Sequence, residues 1–233
     1  MRKSKDKINR NYMERRRFLK ILAAGSALAV PVGWGCSSNS GIVTPGSIAL
    51  TPSQTEGPFY PTPSIEQQMF NDTDLTRKLP SDELAQGQLI VLEGVVQDRN
   101  EQLLENAVVE IWQASSMGLY NHPNDNADNP SLDQHFQFWG RAITGGDGKY
   151  SFNTIIPGEY DGRTARHIHF RVDAPGYRRL TTQSYFANFG SRNSMDGIYS
   201  SLNSEGRNLL TVEFSQPANE PWAGVFNIVL AEA

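Results

Sequence analysis

The sequence predicts an all-β protein, an antiparallel β-sandwich with long loops at one end that carry the functional residues. Three observations predict it. Short β-branched runs recur between residues 89 and 230, turn chemistry separates them, and no segment after residue 40 sustains a long helical period. At 233 residues, 38% hydrophobic and 20% charged, the chain suits one large domain, or one domain with a tail, and can bury a core. Its single Cys excludes a disulfide framework and any zinc site built on Cys pairs.

Charge divides the chain. Residues 1–35 carry nine Lys/Arg and two Asp/Glu, a net of +7, whereas the remainder carries twelve and twenty-three, a net of −11. A body that acidic repels phosphate, so nucleic acid is not an expected partner. The basic piece reads as an address. Arg15-Arg16-Arg17-Phe18-Leu19-Lys20 precedes the apolar run Ile21–Val30, which is too short to span a bilayer and stay there. This pattern resembles a bacterial twin-arginine export signal, with Glu14 standing where Ser or Thr is usual. Cys36 follows as a candidate lipid-acylation site, although Gly33 is not the Leu-like residue usually three before such a Cys. Cleavage after Ala27-Leu28-Ala29 would instead release a soluble periplasmic protein. Residues 1–36 are therefore read as the signal, 37–87 as linker and extended arm, and 88–233 as the sandwich domain.

Within 42–87, Pro52, Pro58, Pro61 and Pro63 favour extended chain wrapped on the sandwich, with single short helices allowed at 64–70 and 80–86. Strands are predicted over Leu89–Val96, Ala107–Trp112, Lys149–Phe152 and Ile168–Val172, then over Leu209–Phe214 and Val225–Leu230. Asp98-Arg99-Asn100-Glu101 is a polar turn, and Gly145-Gly146-Asp147-Gly148 introduces the third run, Asp147 being a turn residue. Trp112 and Phe152 are expected in the core. The Ser- and Asn-rich stretch 191–208 reads as either a lid or a surface loop.

Chemistry concentrates in a few places. His167-Ile168-His169 lies in a strand-like run, so both imidazoles share one face, half of a metal site or else a hydrogen-bonded surface pair. Tyr120 and Tyr160 each stand just past a strand, where loops gather. A tyrosine there is ordinarily a half-buried sandwich residue. His122 and His135 read as solvated loop histidines. No paired carboxylates and no Gly-rich phosphate loop are present.

The surrounding motifs carry more. Gln54–Tyr60, Gly94–Asp98, Val109–Ala114 with Gly118-Leu119-Tyr120, and Gly148–Ile155 occur in that order, followed by Pro157–Tyr160, His167–Phe170 and Gln183–Phe186. Over about residues 51–190 the chain resembles the intradiol ring-cleavage dioxygenases, the family of catechol 1,2- and protocatechuate 3,4-dioxygenases. The resemblance implies that Tyr120, Tyr160, His167 and His169 are the four protein ligands of a mononuclear non-haem Fe(III). It also implies a catechol-type diol and O2 as reactants, a cis,cis-muconate-type product, and a role for Tyr160 as a base when substrate chelates. Two hard phenolates and two imidazoles suit Fe(III), whereas Fe(II) oxygenases of the two-His-one-carboxylate kind would place an acid where these tyrosines stand.

One element is out of register. The family usually has Arg three residues before the first His of the pair, and here that position is Thr164, with Arg163 before it and Arg166 after. Arg163 is the expected holder of that role, because Arg166 would point to the strand face opposite His167. Gln183 matches the family's polar residue near the ring. A second reading keeps the sandwich, of prealbumin-like form, without the chemistry: an exported binding module, since such strand and turn patterns also occur in prealbumin-like and adhesion-type domains. Those modules have no reason to hold Tyr120 together with the His167/His169 pair.

Overall fold

The structure, a computed structural model, describes residues 47–62, 72–125, 129–216 and 220–233. The signal, Cys36 and the 64–70 segment lie outside the described residues.

The longest strand, β1 (Leu89–Asp98), alternates half-buried and buried residues along its whole length, with Ile90, Leu92 and Val96 on the core side. Period-2 alternation of this kind is what a strand with one face on a core requires. It pairs antiparallel with β4 (Lys149–Ile155) and parallel with β8 (Trp222–Val225) and β9 (Ile228–Leu230). The second sheet runs β3–β2–β5–β6–β7, from β2 (Val108–Trp112), β3 (Trp139–Ile143), β5 (His167–Asp173), β6 (Leu180–Phe186) and β7 (Thr211–Val212). Val109, Ile111, Ile168, Phe170 and Val172 from this sheet join Phe152 and the β1 residues in one apolar core. Trp112 and Phe152 are both buried, Phe152 between the sheets and Trp112 on the other face of β2, against His169.

Several boundaries differ from the sequence reading. Val225–Leu230 is two strands, because the chain kinks at Phe226, whose carbonyl crowds Gly94 and accepts the Tyr150 hydroxyl. A Cβ on Gly94 would sit 2.0 Å from that carbonyl oxygen, so only glycine admits the kink. The run read as a strand from Leu209 begins instead as the end of a helix. Three short helices, α1 (Gly190–Asn193), α2 (Gly197–Ser200) and α3 (Ser204–Leu210), occupy the Ser/Asn-rich stretch. Asp196 and Asn203 cap the second and third, which polar composition alone had concealed. Residues 80–86 form no helix. Strands β3 and β6 were missed because Gly140, Arg141, Thr181, Thr182 and Gln183 break the apolar alternation.

The arm behaves as extended chain. Thr51 bonds Val229 in both directions, Gln54 N–H donates to the Thr181 carbonyl at 2.8 Å, and the Thr182 hydroxyl donates to Pro52. These bonds tie residues 51–54 to β9 and β6, and beyond them Gly57 reaches His169 of β5 and Tyr60 reaches Trp112 of β2. No helix among the described residues is long and apolar enough to cross a membrane.

Candidate metal centre

His167 and His169 leave β5 on the face away from the core, opposite Tyr185 and Gln183 of β6 in register. Their ring centroids are 4.8 Å apart, and both side chains are buried. His169 is held flat against Trp112 at 4.8 Å with an interplanar angle of 11°. Gly57 of the arm, at a positive φ of 73°, lies at the Cε1–Nε2 end of the ring, where a Cβ would meet Cε1 at 3.4 Å. His167 Nδ1 is 2.7 Å from the Ala165 carbonyl, which can only accept, so Nδ1 carries the proton and Nε2 keeps its lone pair. That Nε2 is 3.1 Å from the Tyr160 hydroxyl.

The two tyrosines arrive on different loops, after β2 and after β4. Gly118 and Gly158 let those loops touch backbone to backbone. A Cβ on Gly118 would fall 2.0 Å from the Glu159 carbonyl oxygen, and one on Gly158 would fall 2.3 Å from the Gly118 nitrogen. Both Gly118 N–H and Gly158 N–H donate to the Ser115 carbonyl, which pins the two turns together. Gln113 adds a second clasp, donating to the Ile155 carbonyl and accepting from Thr154. The result sets the Tyr120 and Tyr160 rings edge to face, with centroids 5.5 Å apart. Phe59 of the arm stacks on Tyr120 at 4.5 Å.

All four expected donors therefore converge on one point outside the sandwich core. Burial pushes the Tyr120 phenol well above its usual range, and the neighbouring Tyr160 adds to this. Burial raises Tyr160 too, opposed by the Arg163 charge. Both imidazoles are driven the other way. Burial, then Arg163, lowers His167 to about 3, and burial with the neighbouring His167 lowers His169 further than its usual range allows. The imidazoles are thus neutral donors, while the phenols need a nearby cation before they can ionise. His169 Nδ1 is buried with no hydrogen-bond partner, and the buried Tyr120 hydroxyl has only the neighbouring Tyr160 phenol to turn to. Under-satisfied polar atoms of this kind, in a donor set that otherwise satisfies metal chemistry, fit a bound cation. Among the described residues no group of three His, Cys, Asp or Glu could hold a metal, so a centre here must use the phenols.

Arg163 is brought to the site by a tight turn. Its backbone pairs with Tyr160 across Asp161 and Gly162, with Gly162 at a φ of 80°. Its guanidinium donates from Nη2 to Gln183 Oε1 at 2.7 Å and from Nε to Asp196 Oδ2 at 2.9 Å. Gln183 also accepts from the Tyr185 hydroxyl and donates to the Thr55 carbonyl. Arg166 lies elsewhere, bonded to the Pro157 carbonyl and over the Phe189 ring. His122 corrects the sequence reading: it is buried, accepts the Asn124 N–H and meets the Phe59 ring, because the loop folds back under the arm. His135 is partly exposed, 3.0 Å from Glu83. Sequence reasoning missed Asp196 and the wall formed by Phe59 and Trp112. Asp196 lies more than twenty residues beyond the family motifs' last histidine, with only its helix-capping position as a signal.

A family model described as Dioxygenase matches residues 56–232, most of the chain and all of the site. The chain belongs to the intradiol ring-cleavage dioxygenase family. It is 38% identical over 122 residues to the protocatechuate 3,4-dioxygenase beta chain of Burkholderia cepacia, covering 49% of this chain and 52% of that one. It is 30% identical over 154 residues to catechol 1,2-dioxygenase 2 of Acinetobacter lwoffii, covering 57% and 50%. The chain thus spans about half the length of these curated relatives. Among solved structures, the dioxygenase domain of a dioxygenase–carbohydrate-binding fusion from Streptomyces sp. SirexAA-E matches with a TM-score of 0.60 and 31% identity, over 79% of this chain and all of that one. An intradiol ring-cleavage dioxygenase from Tetranychus urticae shares the fold, at a TM-score of 0.61 and 21% identity over 79% and 95%.

Proposed function

We propose that this dioxygenase-family chain cleaves a catechol-type diol between its hydroxylated carbons, using O2 and a mononuclear Fe(III) held by Tyr120, Tyr160, His167 and His169. The observation that carries this reading is the donor set itself. One buried phenol, Tyr120, one half-buried phenol, Tyr160, and two buried, neutral imidazoles come together, with no thiolate or carboxylate among them. Iron bound there would act as a Lewis acid, withdrawing electron density from a chelated catecholate so that a ring carbon reacts with O2 to give a cis,cis-muconate-type product.

The chain's own residues prepare that reaction. Tyr160 is the less buried of the two phenols and lies 3.1 Å from His167 Nε2, so it is the donor best placed to take a proton from an entering diol. Tyr120, stacked under Phe59, is fixed. Arg163, fixed by two charge-assisted bonds, sets a positive charge beside Tyr160, where negative charge builds as the diol loses protons. Gln183 orients that charge. Trp112 and Phe59 wall the donors from water on two sides. Names of the relatives support an aromatic diol as the substrate class.

The test is a visible spectrum of the iron-loaded protein, then of the same sample given catechol without oxygen. A tyrosinate-to-Fe(III) band that shifts on adding catechol, followed by oxygen uptake on aeration, is the expected result. Tyr120→Phe and Tyr160→Phe should each change the band and cut turnover by more than about 100-fold, beyond what loss of an outer-shell partner usually costs. A colourless protein that retains no iron would leave the exported binding module as the reading. The proposed location is outside the cytoplasm, reached through the twin-arginine signal, with Cys36 as the lipid anchor. Mass spectrometry of the mature amino terminus checks it, and a terminus lacking a diacylglyceryl Cys36 would exclude the anchor.

A further inference from the structure

Asp196 is the buried charge that the proposed reaction leaves without a use. Its carboxylate is almost wholly removed from water, at 1% exposure, and four donors satisfy it. Oδ2 accepts from Arg163 Nε at 2.9 Å and from the Ala165 N–H at 3.3 Å. Oδ1 accepts from the Ile198 and Tyr199 N–H groups at 3.0 and 3.1 Å, capping α2. Burying a carboxylate is costly unless it is paired and fully bonded, and breaking such a pair costs more than making it gains. A helix cap alone would not need this, since capping residues work at the surface.

The geometry points to Asp196 as the positioning residue of the active site, acting through Arg163 and Ala165. This rests on the reading of Arg163 given above. With Nε bonded to Asp196 and Nη2 to Gln183, two edges of the planar guanidinium are fixed and its orientation beside Tyr160 is set, leaving Nη1 uncommitted by either bond. The same carboxylate oxygen holds Ala165, whose carbonyl accepts the His167 Nδ1 proton. One side chain thereby governs both the direction of the site's positive charge and the tautomer of one donor. It also answers what the stretch 191–208 is for: α2 is joined to the site by the residue that caps it, and Tyr199 packs edge-on against Tyr185, centroids 4.9 Å apart. The one-residue shift of the arginine relative to the family pattern is accommodated by the Tyr160–Arg163 turn, and Asp196 is what fixes the side chain once there.

Asp196→Asn separates positioning from folding. Asn keeps an oxygen for the α2 cap but turns an amide N–H toward Arg163 Nε–H, donor against donor. The first readout needs no iron. In ¹⁵N-labelled protein without metal, the Arg163 Nε–H, identified by its loss in Arg163→Lys, should exchange slowly with solvent and lose that protection in Asp196→Asn. With iron and catechol, kcat should fall about 10- to 100-fold, the usual cost of losing an outer-shell partner, while KM stays within about threefold, as for a group acting on the reacting charge rather than on binding. In an Arg163→Ala background the same substitution should add less than about threefold, the part that acts through Ala165 alone. A wild-type Arg163 Nε–H exchanging at the solvent rate overturns the inference even if the variant fails to fold. So does an unchanged kcat in a folded Asp196→Asn, or a loss that multiplies in full with that of Arg163→Ala. If the wild-type protein holds iron yet takes up no oxygen with catechols, the proposed function fails, and the Nε–H exchange still decides the lock.

Discussion

Strands β1 and β5 are both central in their sheets, yet they are buried in different ways. β1 alternates half-buried and buried along all ten residues, one face on the core and one toward solvent. β5 opens with four consecutive buried residues, His167 to Phe170, because the arm and the turn at Arg163 cover its outer face where Ile168 and Phe170 already cover the inner one. Burial of the inner face is ordinary hydrophobic packing. Burial of the outer face takes imidazole, phenol, guanidinium and carboxylate out of water, and those groups end up either fully bonded, as Asp196 is, or left without a partner, as His169 Nδ1 is. One face stores stability and the other spends part of it on function.

Substitutions on the two faces should therefore behave oppositely. Phe152→Ala on the core side should cost about 3–5 kcal/mol in denaturant unfolding, the usual range for a fully buried aromatic. Gly158→Ala should cost about 1–3 kcal/mol by forcing the two tyrosine loops apart, and should weaken iron retention in step. A Gly158→Ala protein with wild-type stability and iron content would show that the backbone contact does not position the donors. His169→Leu should do the reverse of Phe152→Ala: iron is not retained, but the metal-free protein is at least as stable as wild type, by up to about 1 kcal/mol, since an unpartnered buried nitrogen is removed. A clear loss of stability would mean the outer face packs as core. Glu159→Gln should have the smallest effect. Arg192, by hydrogen bond and charge, holds the Glu159 carboxyl below its usual range, so the pair stabilises above the unfolded-state value and that contribution is lost as pH falls through the lower folded one. The pair is partly open to solvent, which screens it, so the acid limb of the unfolding curve should flatten only slightly in the variant.

Local periodicity made part of the site legible: two histidines at i and i+2 must share a strand face. Tyr120 and Tyr160 became legible only through the family motifs around them, since a lone tyrosine past a strand reads as an ordinary sandwich residue. The strands with clean alternation, β1 above all, were legible for the same reason. β6 was not, since Thr181, Thr182 and Gln183 serve the site and the arm rather than an apolar face, and its polarity hid it. His122 misled because a polar loop folded under Phe59 has the composition of a solvated one.

The sequence by itself determined a two-sheet β fold and a pair of co-facial imidazoles, since each depends on neighbours a few residues apart, while Tyr120 and Tyr160 were singled out by the family motifs around them. Only the tertiary structure decided that Arg163 rather than Arg166 lies beside Tyr160, that the arm roofs His169 through Gly57, and that Asp196 fixes the guanidinium. The Gly57 and Asp196 contacts join residues far apart along the chain, and although Arg163 lies one tight turn from Tyr160, its side chain is directed by Asp196 and Gln183, so no local pattern encodes where a buried carboxylate will find its partner.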